Sequence, residues 1–181
     1  LMEPIHGTTI LALHKGSQTA IAGDGQVTFG NTIMKQGAVK VRKLQGDILV
    51  GFAGVVADAL TLLEKFEEQL QLAKGSLKRA AVETVKLWRT DKVLRQLEAM
   101  LIVADASEIF LLSGTGEVIA PDESVVAVGS GAPYALAAAK AMLRETSLSP
   151  AQIAERALKI AAEIDLYTNG NATTLSVGEG E

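Results

Sequence analysis

The chain has 181 residues, 48% of them hydrophobic, with 17 Lys plus Arg against 21 Asp plus Glu and a formal net charge of −4. That length and balance fit one globular domain with its own core and exclude intrinsic disorder. The lack of cysteine excludes disulfides, thiolate metal sites and a cysteine nucleophile, and the mild acidity argues against nucleic acid or an anionic membrane as main partner.

Residues 1–7, LMEPIHG, have neither the basic nor the apolar region of a signal peptide. No run approaches the roughly 18 apolar residues of a membrane span, so a cytoplasmic address is the expectation. Two β-rich runs follow at 8–14 and 18–23, separated by a short hairpin loop of Lys15, Gly16 and Ser17. After the glycine-punctuated stretch GDGQVTFG at 23–30, further strands are predicted around 38–44 and 47–54.

The period then changes. Val56, Leu60, Leu63, Phe66 and Leu70 recur at spacings of three and four, predicting a helix whose end is marked by Lys74 and Gly75. Ser76 is placed to cap a second helix with Leu77, Ala81, Val85 and Trp88 inward. Strands are predicted again at 99–105, 108–113, 117–120 and 125–130. A third helix spans about 132–145, with Ala132, Leu136, Ala139 and Leu143 inward. Ser149, Pro150 and Gln152 form a capping box with proline in the first turn, opening a fourth helix that buries Ile153, Ala157, Ile160 and Ile164. A last strand covers 172–178. Strands and helices thus come in blocks, which favours an α+β fold with layered sheets and helices outside.

Two glycine-rich segments suggest nucleotides only superficially. Gly129, Gly131 and Ala135 follow a strand and open a helix, but the next strand with its acidic residue, due about 20 residues on in a dinucleotide fold, is missing. A tight strand-to-helix turn is the better reading. GDGQVTFG lacks the Lys-Ser/Thr ending of a phosphate loop, so no bound nucleotide is expected. The two histidines, His6 and His14, have no companion ligands at helical spacing and read as surface residues.

Thr8 stands at the start of the first strand, unremarkable by itself. It gains meaning beside Asp24 after the second strand, Lys40 inside the apolar alternation of Val39 and Val41, and the turn from residue 51 to Gly54, whose backbone N–H can receive an oxyanion. A threonine hydroxyl is a poor nucleophile without a base. If the chain is cut between Gly7 and Thr8, the freed α-amine, with a reference pKa of about 7.7–8, is neutral in a substantial fraction at cellular pH and can serve as that base. A Lys40 ammonium would favour the neutral amine and the alkoxide, and Asp24 would hold and balance that lysine. Such a site needs no histidine, cysteine or catalytic metal.

These residues lie in a pattern that resembles the HslV (ClpQ) family of proteasome-like peptidases: TTI at 8–10, AGDGQVTFGNTIMK at 22–35, KVRKL at 40–44, GFAGVVADALTLLEKFE at 51–67, LWRTDKVLRQLEAMLIVAD at 87–105, VGSGAPYALAAAKA at 128–140 and IDLYTN at 164–169. The resemblance covers nearly all of the chain from Thr8 to Asn169. It implies a four-layer αββα sandwich of the N-terminal-nucleophile hydrolase type and a threonine endopeptidase with Thr8 as nucleophile and base. Asp24 and Lys40 would support it, Ser130 would stand near the threonine amine, Gly54 would donate to the oxyanion, and Phe52 would wall the pocket for the residue before the cut. It implies a monovalent cation, usually sodium in the family, on the backbone carbonyls of Ala162, Asp165 and Thr168; glycine and cysteine are common at the first two positions. It also implies a dodecamer of two stacked hexameric rings, fed with unfolded protein and activated by an ATPase ring of the HslU (ClpY) type.

The domain expectation is a leader at 1–7 that is removed, with attack of Thr8 on the Gly7 carbonyl as the candidate route, and one peptidase domain at 8–181. The competing functions are a non-catalytic ring subunit, opposed by the joint presence of Thr8, Asp24, Lys40 and Ser130, and a small-molecule amidase of the same fold, which would be a monomer or dimer.

Overall fold

The computed structural model describes residues 5 and 6, in their backbone alone, and residues 8–179. Its strands are β1 (Ile5–His6), β2 (Thr9–Lys15), β3 (Gln18–Gly23), β4 (Val27–Phe29), β5 (Thr32–Lys35), β6 (Val41–Leu44) and β7 (Ile48–Gly54). Helices α1 (Val56–Leu72) and α2 (Leu77–Thr90) follow. Next come β8 (Ala99–Ala104), β9 (Ile109–Ser113), β10 (Val118–Ile119) and β11 (Val125–Gly129), then α3 (Ala132–Glu145), α4 (Pro150–Ile164) and β12 (Thr173–Gly178).

Two antiparallel sheets face each other. One has the order β11-β2-β3-β12 and the other β10-β9-β8-β7-β6. The first two strands of the domain are joined by the expected hairpin, with Lys15 opposite Gln18. Strand alternation sends one set of side chains, including Ile10, Ala12, Ile21, Leu49, Ile102 and Ala104, into the space between the sheets. The other set faces outward and is covered by helices. Leu62, Phe66, Val85 and Trp88 of α1 and α2 pack on Val50, Leu101 and Leu112; Ala135, Ala139, Ile153 and Ala157 of α3 and α4 pack on Leu11, Leu13 and Ala22. The result is the four-layer αββα sandwich.

Several local expectations are corrected. No strand is expected from the sequence between 24 and 37, yet β4 and β5 form a hairpin there with a register irregularity between Val27 and Thr28, and β1 adds to its edge with Ile5 opposite Phe29 and His6 opposite Thr28. In α4 the buried face is Ile153, Ala154, Ala157, Leu158 and Ala161, whereas Ile160 and Ile164 are exposed. In α3 Ala139 is fully buried and Leu136 and Leu143 pack half-buried beside it as expected, with Ala135 the fully buried addition; in α1 Val56 is exposed. Small residues decide these faces because close approach to the sheet, not side-chain size, sets what is covered. Ser76 stands at the N-cap of α2 but makes no capping hydrogen bond. The capping box of α4 forms as expected, Ser149 Oγ accepting from the Gln152 N–H at 3.3 Å and Gln152 Oε1 from the Ser149 N–H at 3.0 Å. His14 is half-buried, its Nδ1 within 2.9 Å of the Thr19 hydroxyl; the side chain of His6 lies outside the described residues. Among the described residues no helix is long and apolar enough to cross a membrane.

Candidate active site

β2 and β3 are hydrogen-bonded neighbours, so the start of one and the end of the other meet, Ile10 opposite Gly23. This brings Thr8 and Thr9 to Asp24. The Thr9 N–H donates to Asp24 Oδ1 at 2.8 Å, and the Asp24 N–H donates to the Thr9 carbonyl at 3.1 Å. Asp24 is fully buried. Its other oxygen accepts from the Gln26 N–H at 3.0 Å and the Asn169 N–H at 3.2 Å. A carboxylate so furnished with donors is fixed in direction.

Lys40 precedes β6 and points inward, 5% exposed. Its Nζ donates to Asp24 Oδ1 at 2.8 Å and to the Gln26 carbonyl at 2.6 Å. Burial pushes the Lys40 ammonium below the ordinary lysine value, while the charge of Asp24 and its hydrogen bond work the other way. A lysine caught between these influences stays close to its carboxylate and gives the cavity it lines a fixed positive charge.

That cavity, of about 460 Å³, is lined by Thr8, Lys40, Phe52, Gly54 and Ser130 together with Val27, Arg42, Leu60 and other residues. Five of the six residues expected to carry or support the chemistry thus share one wall system, and the sixth, Asp24, anchors it from beneath. Gly54 ends β7 with φ +115°, and a Cβ there would come within 2.4 Å of the Glu98 carbonyl oxygen; only glycine lets the strand turn here. Gly129 has φ +101°, and a Cβ there would sit 1.8 Å from the Thr8 carbonyl oxygen. This close approach lets the Ser130 N–H donate to that carbonyl at 3.0 Å, fixing the backbone of Thr8 from the side opposite Asp24. The same turn that superficially suggests a dinucleotide fingerprint therefore serves to grip Thr8.

The side chains of Asp165 and Thr168 form part of a polar chain that sequence reasoning missed. Gly131 N–H donates to Thr9 Oγ1 at 2.9 Å, Thr9 Oγ1 lies 2.7 Å from Thr168 Oγ1, and Thr168 Oγ1 donates to Asp165 Oδ2 at 2.5 Å. Asp165 Oδ2 also accepts from Ser130 Oγ at 2.7 Å. Since Thr168 spends its proton on the carboxylate, Thr9 is the donor to Thr168. Thr9, Gly131 and Asn169 were the residues overlooked; the segment IDLYTN was the available signal for the last. Of the pocket, only Phe52 was anticipated as a wall. Val27, Arg42 and Leu60 sit on elements whose inward faces depend on the packing.

Ala162, Asp165 and Thr168 occupy the C-terminal end of α4 and the turn after it. The Asp165 N–H closes on the Ala161 carbonyl, and among the described residues no backbone N–H reaches the Ala162 carbonyl. The Ala162 carbonyl, open at the negative end of the helix, suits a weakly charged cation, whereas the Asp165 carbonyl already accepts from the Thr168 N–H at 3.3 Å. Among the described residues no three His, Asp or Glu cluster as a metal site.

Comparison with known proteins agrees with this architecture. Residues 5–177 match the family model described as Proteasome subunit. The chain is 58% identical over 174 residues to the ATP-dependent protease subunit HslV of Caldicellulosiruptor saccharolyticus, covering 95% of this chain and 99% of that one. It is 55% identical over 167 residues to the same subunit of Pseudothermotoga lettingae, covering 92% and 95%. The crystal structure of eukaryotic HslV from Trypanosoma brucei superposes with a TM-score of 0.90 at 41% identity, covering 94% of this chain and 99% of that one. The Thiobacillus denitrificans BPH structure in complex with epoxomicin shares the fold, with a TM-score of 0.76 at 23% identity over 96% of this chain and 100% of that one. The chain belongs to the proteasome-subunit family, in its HslV branch of protease subunits.

Proposed function

We propose that the chain is a threonine endopeptidase, the proteolytic core of an ATP-dependent protease, acting once Thr8 is its first residue. The observation that carries this reading is the Asp24–Lys40 pair: Lys40 lines the same cavity as Thr8, and one carboxylate oxygen holds both the lysine ammonium and the backbone of the residue after Thr8. A buried ion pair is a poor device for stability alone, but a fixed cation beside a hydroxyl serves nucleophile activation.

In the proposed reaction the Thr8 α-amine accepts the Thr8 hydroxyl proton, directly or through one water. Oγ1 attacks the peptide carbonyl, and its electrons move to the carbonyl oxygen, which the Gly54 N–H receives. The tetrahedral adduct collapses, the C–N bond breaks, and the departing amine takes the proton from the α-ammonium. A water, deprotonated by the same amine, then hydrolyses the ester. Lys40 keeps the amine neutral by electrostatic repulsion and stabilises the alkoxide. Ser130, oriented by Asp165, positions the amine, and Phe52 walls the pocket for the residue before the cut.

Residues 1–7 are a leader removed before Thr8, and 8–181 form the peptidase domain; Gly7 lies outside the described residues. A monovalent cation such as sodium would be held by the carbonyls of Ala162, Asp165 and Thr168, fixing the turn that carries Asp165. The assembly is two stacked hexameric rings enclosing the sites, in the cytoplasm, fed by an ATPase ring of the HslU type. Confinement is the physical sense of such an arrangement, since a broad pocket is harmless only where folded proteins cannot reach it.

Intact mass and hydrolysis of an unstructured peptide, with and without such an ATPase, test the reading together. A fully active preparation that still begins before Thr8 would sink it. Thr8→Ala should lower peptide hydrolysis at least about 10³-fold with the oligomer unchanged in mass; undiminished activity would leave only a ring-building role.

A further inference from the structure

A second cavity, about 680 Å³, adjoins the first across Ala53, Gly54 and Gly129, which line both. Its floor includes Met100, Leu111 and Ile119, and its rim Arg95, Glu98 and Glu117. Met100 and Ile119 are each 43% exposed, so both present apolar surface to the groove. The Glu98 N–H donates to Asp58 Oδ2 at 2.9 Å, tying the rim to α1.

The direction of a substrate across the site follows from the chain's own leader. Residues 5 and 6 precede the Gly7–Thr8 bond, and they pair antiparallel with β4, whose Val27 lines the first cavity. On the reading above, the leader is the segment on the acyl side of that bond. Acyl-side residues therefore run along β4 and the first cavity. A chain passing Thr8 in the same sense leaves over the small residues Ala53, Gly54 and Gly129 into the second.

We propose that this second groove binds the segment of the peptide substrate that follows the cut, and that it selects an apolar residue directly after the scissile bond, seated on Met100 and Ile119. The inference rests on the peptidase reading, and it assigns to this chain a specificity for the leaving side that is separate from the pocket walled by Phe52. Apolar contact on the floor favours Leu over a charged residue there, because a carboxylate or ammonium would lose water without gaining a partner. The charged rim is suited to polar groups further along the segment.

The test uses the processed oligomer and two series of internally quenched peptides. One varies the residue after the cut and holds the residue before it; the other does the reverse. In the unaltered protein, Leu after the cut should be favoured over Glu by about tenfold in kcat/KM. Met100→Lys should bring that ratio to about unity or invert it in favour of Glu, while the Leu-to-Glu ratio at the position before the cut stays within about twofold. Ile119→Lys, on a two-residue edge strand, repeats the test at a site more tolerant of change. Indifference of the unaltered protein to the residue after the cut overturns the proposal. So does an equal shift of both ratios in the variants, or loss of the oligomer in both, which would mean that a second copy covers this face. Failure of the unaltered protein to cleave any peptide would instead overturn the peptidase reading beneath it.

Discussion

The two helix–sheet halves of the sandwich solve the same packing problem with different residues. Under α3 and α4, seven of the twelve buried core residues are alanine; under α1 and α2 only four of nineteen are, and the volume comes from Phe66, Trp88, Leu62 and their neighbours. Alanine fills little space, so α3 and α4 lie close to their sheet, and the ends of these elements bring hydrogen-bonding groups within reach of one another. The polar chain from Gly131 through Thr9 and Thr168 to Asp165 and Ser130 is built there. The aromatic half offers apolar volume instead, and Phe52 joins that cluster while lining the cavity. Thr8 sits where the two halves meet. A polar network requires short, fixed distances, and an apolar pocket requires bulk; dividing the two between layers lets each be packed in its own way.

The largest expected effect separates the polar site at the junction of the halves from the aromatic core. Lys40→Ala leaves Asp24 buried without its cation, which should cost about 3–5 kcal/mol and reduce peptide hydrolysis at least about 10²-fold, read by denaturant unfolding and by steady-state rates. Trp88→Ala should cost a similar 3–5 kcal/mol in unfolding, yet leave the Asp24–Lys40 geometry in place. Measured well below its melting temperature, it should retain most of its activity. Equal activity losses in the two variants would erase the distinction between the polar site and the aromatic core.

The pH profile sharpens the same contrast. Activity should rise as the Thr8 amine loses its proton and fall as Lys40 loses its own, at a pH below the ordinary lysine value of 10.5 because burial lowers it. Stability should move the other way in that window: between the lowered folded value and 10.5 the unfolded chain binds more protons, so this lysine's contribution to stability grows with pH. Parallel profiles of rate and unfolding free energy would contradict the assigned burial effect.

Two smaller changes probe the alanine half. Ala157→Leu, at a fully buried site between α4 and its sheet, should overpack the layer and cost about 1–3 kcal/mol. If close approach is what builds the polar chain, its activity loss should exceed that of an equally destabilised variant in the other half. Ser149→Ala removes one side of the α4 capping box and should cost about 1 kcal/mol, seen as a lower melting temperature with rates unchanged at 25 °C.

Much of this was legible in residue order. The change from alternation to a spacing of three and four marked α1 and α2, the Ser149 capping box marked α4, and the chemistry of a histidine-poor chain singled out Thr8, Asp24, Lys40 and the Gly54 turn. These signals are local or concern what a side chain can do by itself, so no packing is needed to read them. The hairpin of β4 and β5 escaped because its glycines and exposed Phe29, Ile33 and Met34 give no buried alternation. The face of α4 was misjudged because hydrophobic size pointed to Ile160 and Ile164, while proximity to the sheet selected Ala154, Leu158 and Ala161.

What the sequence determined by itself was the list of elements, their block order and the kinds of groups available for chemistry, since backbone propensity and side-chain reactivity act over a few residues. What the tertiary structure alone decided was who meets whom. Thr9 and Thr168 lie 159 positions apart and touch at 2.7 Å because the start of β2 and the turn after α4 converge there, and no short-range property of the chain carries that distance.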